Sequence, residues 1–192
     1  MEVKQHDGDA IERLWAPWRL GYVARDAEDE KPAEPVRWLP GASRDCFLCR
    51  AAAEYGDQTA ADQANLVVSR GANSVVVLNR YPYSNGHVLV SPLRHAAELV
   101  DLQSAEHQEL MATLARLTTV LRDLLKSQGF NIGLNLGDVA GAGVPGHLHW
   151  HLVPRWAGDH NFMPTLAQTR VIPQSLEALW EVLSGAVKDS HG

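Results

Sequence analysis

The sequence contains only two cysteines, Cys46 and Cys49, which stand three positions apart in the stretch CFLC. So few cysteines exclude the disulfide framework on which small secreted domains depend. In a reducing compartment, two cysteines this close together favour half of a metal site or a redox pair over a structural disulfide.

Long apolar runs are also absent. No apolar stretch approaches the roughly 18 residues that suggest a membrane span. The beginning of the chain, MEVKQHDGDAIERLW, lacks the basic and apolar regions of a secretory signal. We therefore expect a cytoplasmic protein with no membrane partner.

Basic residues are outnumbered. Lys and Arg total 17 against 23 Asp and Glu, which gives a formal net charge of -6. General nucleic-acid binders usually carry a basic stripe, so we expect no nucleic-acid partner. A nucleotide pocket remains compatible with this charge, because a few local donors are sufficient to build one.

The 192 residues, 45% of them hydrophobic, fit one globular domain with tails. Residues 24–44 are rich in Pro, Asp, Glu and Ala, and Trp38 is their one large apolar anchor. This composition predicts an exposed and mobile excursion. We therefore divide the chain into an N-terminal extension, residues 1–44, and a domain that covers residues 45–192 and ends in a helix.

Periodicity predicts an antiparallel sheet with helices, the α+β class. Leucines at steps of three and four follow Ser104 as far as Ser127 and predict a long amphipathic helix closed by Gly129. Turn residues separate short runs rich in β-branched and apolar residues, which are typical of strands. The predicted strands are 65–70, 73–79, 87–92, 130–136 and 147–153, with a short helix after CFLC and a last helix over 174–187.

Three histidines, His147, His149 and His151, alternate with apolar residues in HLHWHLV. Because successive side chains of a strand point to opposite faces, alternation places the three imidazoles on one face, roughly 6–7 Å apart. Such a cluster is typical of metal binding or acid–base chemistry. Two alternatives stay open here: a surface strand that is polar at every second position, and a three-histidine metal site that activates water.

The segment before these histidines, residues 137–146, contains four glycines. Glycine lets the backbone approach a ligand closely and lets N–H groups point at phosphate. The loop and the histidines together predict that a polyphosphate lies in the loop with its phosphorus opposite an imidazole. Histidine is a competent nucleophile at phosphorus and forms a covalent intermediate there.

HLHWHLV resembles the His-x-His-x-His signature of the histidine triad (HIT) superfamily of nucleotide hydrolases and transferases. Residues 76–95 resemble the first nucleotide-binding block of that family, and residues 129–137 resemble its strand leading into the phosphate loop. The stretches LWAPWR, PRWAGDHNF and VIPQSL are similar, more narrowly, to the bacterial branch that includes diadenosine tetraphosphate phosphorylases (ATP adenylyltransferases). The resemblance implies the α+β HIT-like fold.

The resemblance also implies catalytic roles. The middle histidine, His149, would attack the α-phosphorus of a nucleoside polyphosphate and form a nucleotidyl-histidine. His151 and His87 would contact phosphate or assist the leaving group. Without the family, His87 reads equally well as a polar residue that begins a strand.

Five substrate-binding residues follow from the same resemblance. Asn79 would lie near the ribose, Asn135 would bind phosphate, Gly141 and Gly143 would form the phosphate loop, and Trp156 would shape the pocket. From the residues alone, Asn79 reads as a turn residue at a strand end, and Trp156 as a core or interface residue.

The family also suggests a use for the cysteines. In its zinc-bearing members, a CxxC pair joins two histidines, which here would be His95 and His147. Cys46, Cys49, His95 and His147 would then form a closed Cys₂His₂ site for a structural zinc, away from the reaction. A pair of small buried residues at a helix start is the alternative for the cysteines. No organic cofactor is implied.

The resemblance implies a nucleotidyltransferase that cleaves dinucleoside polyphosphates, diadenosine tetraphosphate first among them. The family's hydrolases commonly carry polar side chains just before the triad, where this chain has Gly143 to Gly146. Inorganic phosphate is therefore the expected second acceptor. Hydrolysis of the same substrates or of nucleoside phosphoramidates stays an alternative, as does a zinc-stabilised nucleotide-binding module without turnover. Related domains pair, so we expect a homodimer or a higher homo-oligomer.

Overall fold

The structure is a computed structural model that describes residues 33–159 and 173–190. In these two ranges, five strands form one antiparallel sheet in the order β1-β2-β3-β5-β4. Helices accompany the sheet, so the predicted α+β class is confirmed. The strands are β1 (Val67–Arg70), β2 (Ser74–Leu78), β3 (Val88–Pro92), β4 (Gly129–Leu134) and β5 (Trp150–Arg155); the α-helices are α1 (Phe47–Ala52), α2 (Gln58–Ala64), α3 (Ser104–Leu125) and α4 (Leu176–Asp189).

Some element bounds differ from the prediction. Helix α3 begins at Ser104 as expected, but it ends at Leu125 because Lys126 takes the left-handed conformation, φ 54°, and closes the helix before Gly129. Strand β5 begins at Trp150, so the strand predicted from residue 147 is wrong in its first three residues. Helix α2 was not predicted, although Asp57 supplies a helix-start signal and accepts a hydrogen bond from the Ala60 N–H.

The two faces of the sheet pack against different helices. Val76 and Val90 point to the face covered by α3 and α4, where Leu117 and Leu152 complete the larger core. The strand alternation sends Val77 to the opposite face, where a smaller core includes α1 and both cysteines. Both faces of β2 and β3 are therefore buried, which explains why these strands read as continuous apolar runs.

The two edge strands differ in their surroundings. Helix α4 packs along β1, and the Trp180 indole Nε1–H donates to the Val67 carbonyl at 2.7 Å. Within residues 33–159 and 173–190, strand β4 forms the opposite edge and pairs with β5 alone. Ile132, an apolar residue of β4, is 47% exposed. Among the described residues, no helix combines the length and apolar character that crossing a bilayer would require.

Residues 33–44 are the described part of the predicted excursion. Arg37 forms a salt bridge and a backbone bridge with Glu54. Trp38 packs against the smaller core, and the Arg50 guanidinium lies 5.5 Å from its ring centroid. Trp38 is thus an apolar anchor, as expected. Residues 24–32 lie outside the described ranges.

Gly86 makes the turn that leads into β3. Its φ of +76° belongs to the left-handed region, which glycine enters without steric cost. A Cβ at this position would lie 2.5 Å from the Leu125 Cδ1 and 3.2 Å from the Pro154 Cγ. Glycine is therefore required both by the backbone conformation and by the close approach of α3 and β5. The next residue is His87.

Gly86→Ala is expected to lower the free energy of unfolding by about 1–2 kcal/mol, since the new Cβ is strained in the left-handed region. Urea denaturation measures this change. Gly185→Ala is the matched control, because Gly185 lies in α4 with nothing within 4 Å of its added Cβ. In a helix this change should instead stabilise by up to about 1 kcal/mol. Equal effects from the two substitutions would contradict the strain at Gly86.

Candidate active site and metal cluster

Cys46, Cys49, His95 and His147, the predicted metal ligands, come together as one cluster. One ligand atom from each lies within 4.8 Å of the others. The His147 Nδ1 is 3.3 Å from the Cys46 Sγ and 3.5 Å from the Cys49 Sγ, and the His95 Nδ1 is 3.2 Å from the Cys49 Sγ. This cluster could hold a metal ion.

Three separate segments supply the cluster. Cys46 caps the N-terminus of α1 and Cys49 lies within that helix, on its buried side. His95 follows the end of β3 by three residues, and His147 precedes β5. Because β3 and β5 are neighbours in the sheet, their ends bring the two histidines together. Because Cys46 and Cys49 are three residues apart at the start of a helix, their two sulfurs lie on the same side and face the two histidines.

The ring of His147 is oriented by a backbone group. Its Nε2–H donates to the Pro92 carbonyl at 3.0 Å, which leaves the Nδ1 lone pair directed at the two sulfurs. A ligating imidazole commonly has such a partner on its other nitrogen. A side-chain hydrogen bond with Cys49 lowers the pKa of the Cys46 thiol, and the same hydrogen bond raises the pKa of the Cys49 thiol. Two thiols and two imidazoles fit a tetrahedral zinc ion.

An ion pair holds the segment that carries His95. Arg94 donates from Nη2 and Nε to the two carboxylate oxygens of Glu106, at 2.8 and 3.2 Å. These hydrogen bonds lower the pKa of the Glu106 carboxyl, whose side chain is only 7% exposed. Glu106 also accepts the Gln103 N–H in a capping box at the start of α3. The chain entering His95 is therefore fixed to the long helix.

His149, the predicted nucleophile, is buried and has its ring fixed. Its Nδ1–H donates to the His147 carbonyl at 2.8 Å, so the lone pair of the neutral imidazole lies on Nε2. Burial lowers the pKa of His149, which favours the neutral imidazole that carries its one proton on Nδ1. A neutral imidazole with a directed lone pair is the form that can attack an electrophile.

His87 and His151, the two histidines predicted to contact phosphate, lie side by side. The His87 Nε2 is 3.0 Å from the His151 Nδ1, and the His87 side chain is almost fully buried. The ring of His151 lies between its neighbours, with centroids 5.2 Å from His87 and 5.1 Å from His149. The three predicted catalytic residues thus form one continuous group.

The alternation predicted that His147, His149 and His151 lie on one strand. In the structure only His151 of the three lies on β5. His147 and His149 precede β5, and His147 turns into the metal cluster. His149 and His151 remain neighbours, but the planes of their rings are inclined at 62° and meet edge to face, not parallel to each other. Hydrogen bonds from the Leu148 N–H to the Ala96 carbonyl and from the Ser91 hydroxyl to the Leu148 carbonyl hold this irregular backbone.

The predicted substrate-binding residues lie around these rings and in the loop before them. The Asn79 amide nitrogen is 3.3 Å from the His87 Nδ1, and its Oδ1 accepts the Tyr81 N–H. Asn135 is half-buried just after β4, and Gly141, φ +82°, follows a 3-10 turn at Asp138–Ala140. Gly143 is exposed in the same loop. Contacts of these residues with a nucleotide stay predictions.

The Trp156 indole donates to the Leu125 carbonyl at the C-terminal end of α3. Arg155 and Asp159 form an ion pair beside it, with bonds of 2.5 and 2.8 Å. These contacts fix the chain that leaves β5. A role of Trp156 in shaping the pocket stays a prediction.

Tyr83 was not predicted from the sequence. Its ring stacks on the ring of His87, with centroids 4.8 Å apart, and its N–H donates to the His87 Nδ1 at 3.1 Å. The residue lies in the loop RYPYSNG, where no periodicity marks a side chain as buried or functional. Only the folded loop places it against the histidines.

A family model described as the HIT domain matches residues 52–158. The AP-4-A phosphorylase of Mycobacterium tuberculosis is 40% identical over 174 residues, which cover 88% of this chain and 80% of that protein. An asymmetrical bis(5'-nucleosyl)-tetraphosphatase of Schizosaccharomyces pombe is 35% identical over 86 residues, covering 45% of this chain and 47% of that protein.

The fold is similar to that of solved structures. A crystal structure of a zinc-bound histidine triad family protein from Mycobacterium smegmatis superposes with a TM-score of 0.53 at 28% identity. The match covers 65% of this chain and 84% of that chain. The fold and the predicted family resemblance are thereby confirmed.

Proposed function

Since the chain belongs to the HIT domain family, we propose that it is a nucleotidyltransferase that cleaves dinucleoside polyphosphates. Its proposed substrate is diadenosine tetraphosphate, and inorganic phosphate is the second acceptor. The observation that carries this proposal is the buried His149, whose Nδ1–H is bonded to the His147 carbonyl and whose Nε2 is left as the nucleophile.

The reaction has two displacements at one phosphorus. In the first, the His149 Nε2 lone pair attacks the α-phosphorus, a P–N bond forms, and the P–O bond to the remaining phosphates breaks to release ATP. In the second, an oxygen of inorganic phosphate attacks the same phosphorus and the P–N bond breaks, which releases ADP. His151 lies next to His149 and would donate to phosphate oxygens during both steps. His87 would assist through its hydrogen bond to His151.

Two observations favour phosphate over water as the second acceptor. The relative from Mycobacterium tuberculosis, similar over most of this chain, is named a phosphorylase. The loop before the triad, GAGVPG, also lacks the polar side chains that the family's hydrolases commonly place there. Backbone N–H groups of this glycine-rich loop would then bind the phosphates.

Zinc is the metal we propose for the cluster of Cys46, Cys49, His95 and His147. Its two sulfur and two nitrogen donors fill a tetrahedral shell, which is typical of structural zinc without an open position for a substrate. The similar structure from Mycobacterium smegmatis is described as zinc-bound. When bound, zinc would supply a cross-link between α1 and the ends of β3 and β5.

We also propose a homodimer, in which the edge strand β4 is part of the interface. In the part of the chain that the structure describes, strand β4 pairs with β5 alone and exposes the apolar side chain of Ile132. A second copy would satisfy the unpaired edge and cover this side chain. A cytoplasmic location, and the division into an extension over residues 1–44 and a HIT domain over 45–192, likewise belong to this proposal.

The substrate prediction is tested with diadenosine tetraphosphate in the presence and absence of inorganic phosphate, with products separated by chromatography. Formation of ADP and ATP only when phosphate is present is expected. AMP and ATP without phosphate would instead assign the chain to the hydrolases. Binding without products would reduce it to a nucleotide-binding module.

His149→Ala should abolish product formation, because the attacking atom is lost. The matched control is His107→Ala, since His107 lies in α3 and its Nε2 contacts the Leu99 carbonyl, outside the histidine group. The control should keep the wild-type rate. A His149→Ala protein with an undiminished rate would disprove the proposed nucleophile.

Protein purified without chelator is expected to contain about one zinc per chain, as measured by elemental analysis, since the four donors complete a structural site. Cys46→Ser should lose most of this zinc and unfold at a lower temperature, because a structural metal contributes directly to folding. His107→Ala again serves as the control and should retain its zinc. A wild-type protein with almost no zinc would refute the metal assignment.

Ile132→Glu should shift the protein from dimer to monomer in light scattering, since it places a charge in the proposed interface. Val182→Glu is the matched control, because Val182 is similarly exposed, at 49%, but lies on α4. The control should remain dimeric. A wild-type protein that is monomeric at micromolar concentration would rule out the dimer.

A further inference from the structure

Tyr83 stands against both histidines predicted to contact phosphate. Its ring is nearly parallel to that of His87, at 27° with centroids 4.8 Å apart. It also lies at 23° to the ring of His151, with centroids 6.0 Å apart. One aromatic side chain, on the loop between β2 and β3, thus covers the pair.

The backbone of the same residue determines where His87 carries its proton. An amide N–H can only donate, so the Tyr83 N–H requires the His87 Nδ1 to accept, at 3.1 Å. The amide nitrogen of Asn79 lies 3.3 Å from the same atom and 3.5 Å from the His87 Nε2, so the Tyr83 N–H is the contact that distinguishes the two ring nitrogens. Neutral His87 must therefore carry its proton on Nε2.

This proton sets the state of His151 in turn. The His87 Nε2–H faces the His151 Nδ1 at 3.0 Å, so Nδ1 accepts and neutral His151 carries its proton on Nε2. The Tyr83 N–H thus donates to His87, and His87 donates to His151. As a result, the Nε2–H of His151 is a donor on the ring adjacent to His149.

The hydrogen bond between the two imidazoles also requires that both rings keep their orientation. The terminal torsion of histidine is broad and does not hold a ring plane by itself. Packing must supply that constraint, and Tyr83 is a rigid ring that contacts both planes. If the His151 ring rotated, its Nδ1 would lose the hydrogen bond from His87, and its Nε2–H would no longer point toward the substrate phosphates.

We propose that Tyr83 is a positioning residue, whose ring holds His87 and His151 in the orientation that keeps the proton of His151 on Nε2 for the phosphate groups of the substrate. This inference rests on the proposed function. Tyr83 acts through the two histidines and takes no part in bond making.

The test compares Tyr83→Leu, which removes the ring, with Tyr83→Phe, which keeps it. Because misplacing a catalytic group by about 1 Å costs roughly 100-fold, Tyr83→Leu is expected to lower kcat on that order and to change KM by less than about threefold. Tyr83→Phe should stay within about threefold of the wild type in both constants. If Phe and Leu reduced kcat equally, the ring would not be the cause and the proposal would be wrong.

A second measurement needs no substrate. Nitrogen-15 NMR of the histidine rings at pH 8, above the ordinary imidazole pKa of about 6.5, reports which nitrogen carries the proton. Wild type and Tyr83→Phe should each show His87 and His151 protonated at Nε2 alone. In Tyr83→Leu, His87 should keep this form because the backbone N–H of residue 83 remains, whereas His151 should show a mixture of both forms. A single form of His151 in Tyr83→Leu would overturn the proposal.

The two measurements also separate failure of this inference from failure of the proposed function. If the wild-type protein cleaved no dinucleoside polyphosphate, the proposed function would fail, and the NMR comparison would still decide whether Tyr83 orients the pair. Thermal unfolding verifies that each variant is folded. Should Tyr83→Leu not unfold cooperatively, Tyr83→Met, which is also large and apolar but has no ring, would replace it under the same criteria.

Discussion

The hydrogen bond from the His149 Nδ1–H to the His147 carbonyl is the interaction on which the site depends. His147 takes part twice: its imidazole belongs to the metal cluster, and its backbone oxygen selects the tautomer of the proposed nucleophile. Whatever holds the ring of His147 therefore also holds the acceptor for His149. A shift of the metal cluster would therefore also displace the acceptor that orients His149, although no ligand atom of the cluster belongs to the proposed catalytic group.

The sheet makes this arrangement possible because β3 and β5 are neighbours. His87 enters β3 from one end and His95 leaves it at the other, so the same strand contributes to both the histidine group and the metal cluster. Strand β5 also contributes to both: His151, on the strand, belongs to the histidine group, and His147, three residues before the strand, belongs to the metal cluster. The two centres lie at different positions along one pair of strands. The core beneath them, with Val88, Val90 and Leu152 buried, makes that pair rigid.

Much of the fold could be predicted because its signals are local. The leucines of α3 repeat at helical spacing, and the runs around Val75 to Val77 are short, apolar and β-branched. The start of β5 was misjudged for an equally physical reason. Alternation of apolar and polar residues predicts a strand, but at His147 the side-chain contacts with Pro92 and the cysteines compete with regular pairing. Tyr83 could not be found at all, since a loop aromatic has no period.

The sequence by itself determined the family, through three histidines at alternate positions, and the kinds of donors available for phosphate and metal. It also determined the apolar periodicities from which the sheet and long helix follow. Only the tertiary structure decided how three similar imidazoles differ. His147 meets the sulfurs, His149 is buried with its Nδ1–H on a carbonyl, and His151 accepts from His87. The protonation state and role of an imidazole depend on the partner at each nitrogen, and those partners come from distant parts of the chain.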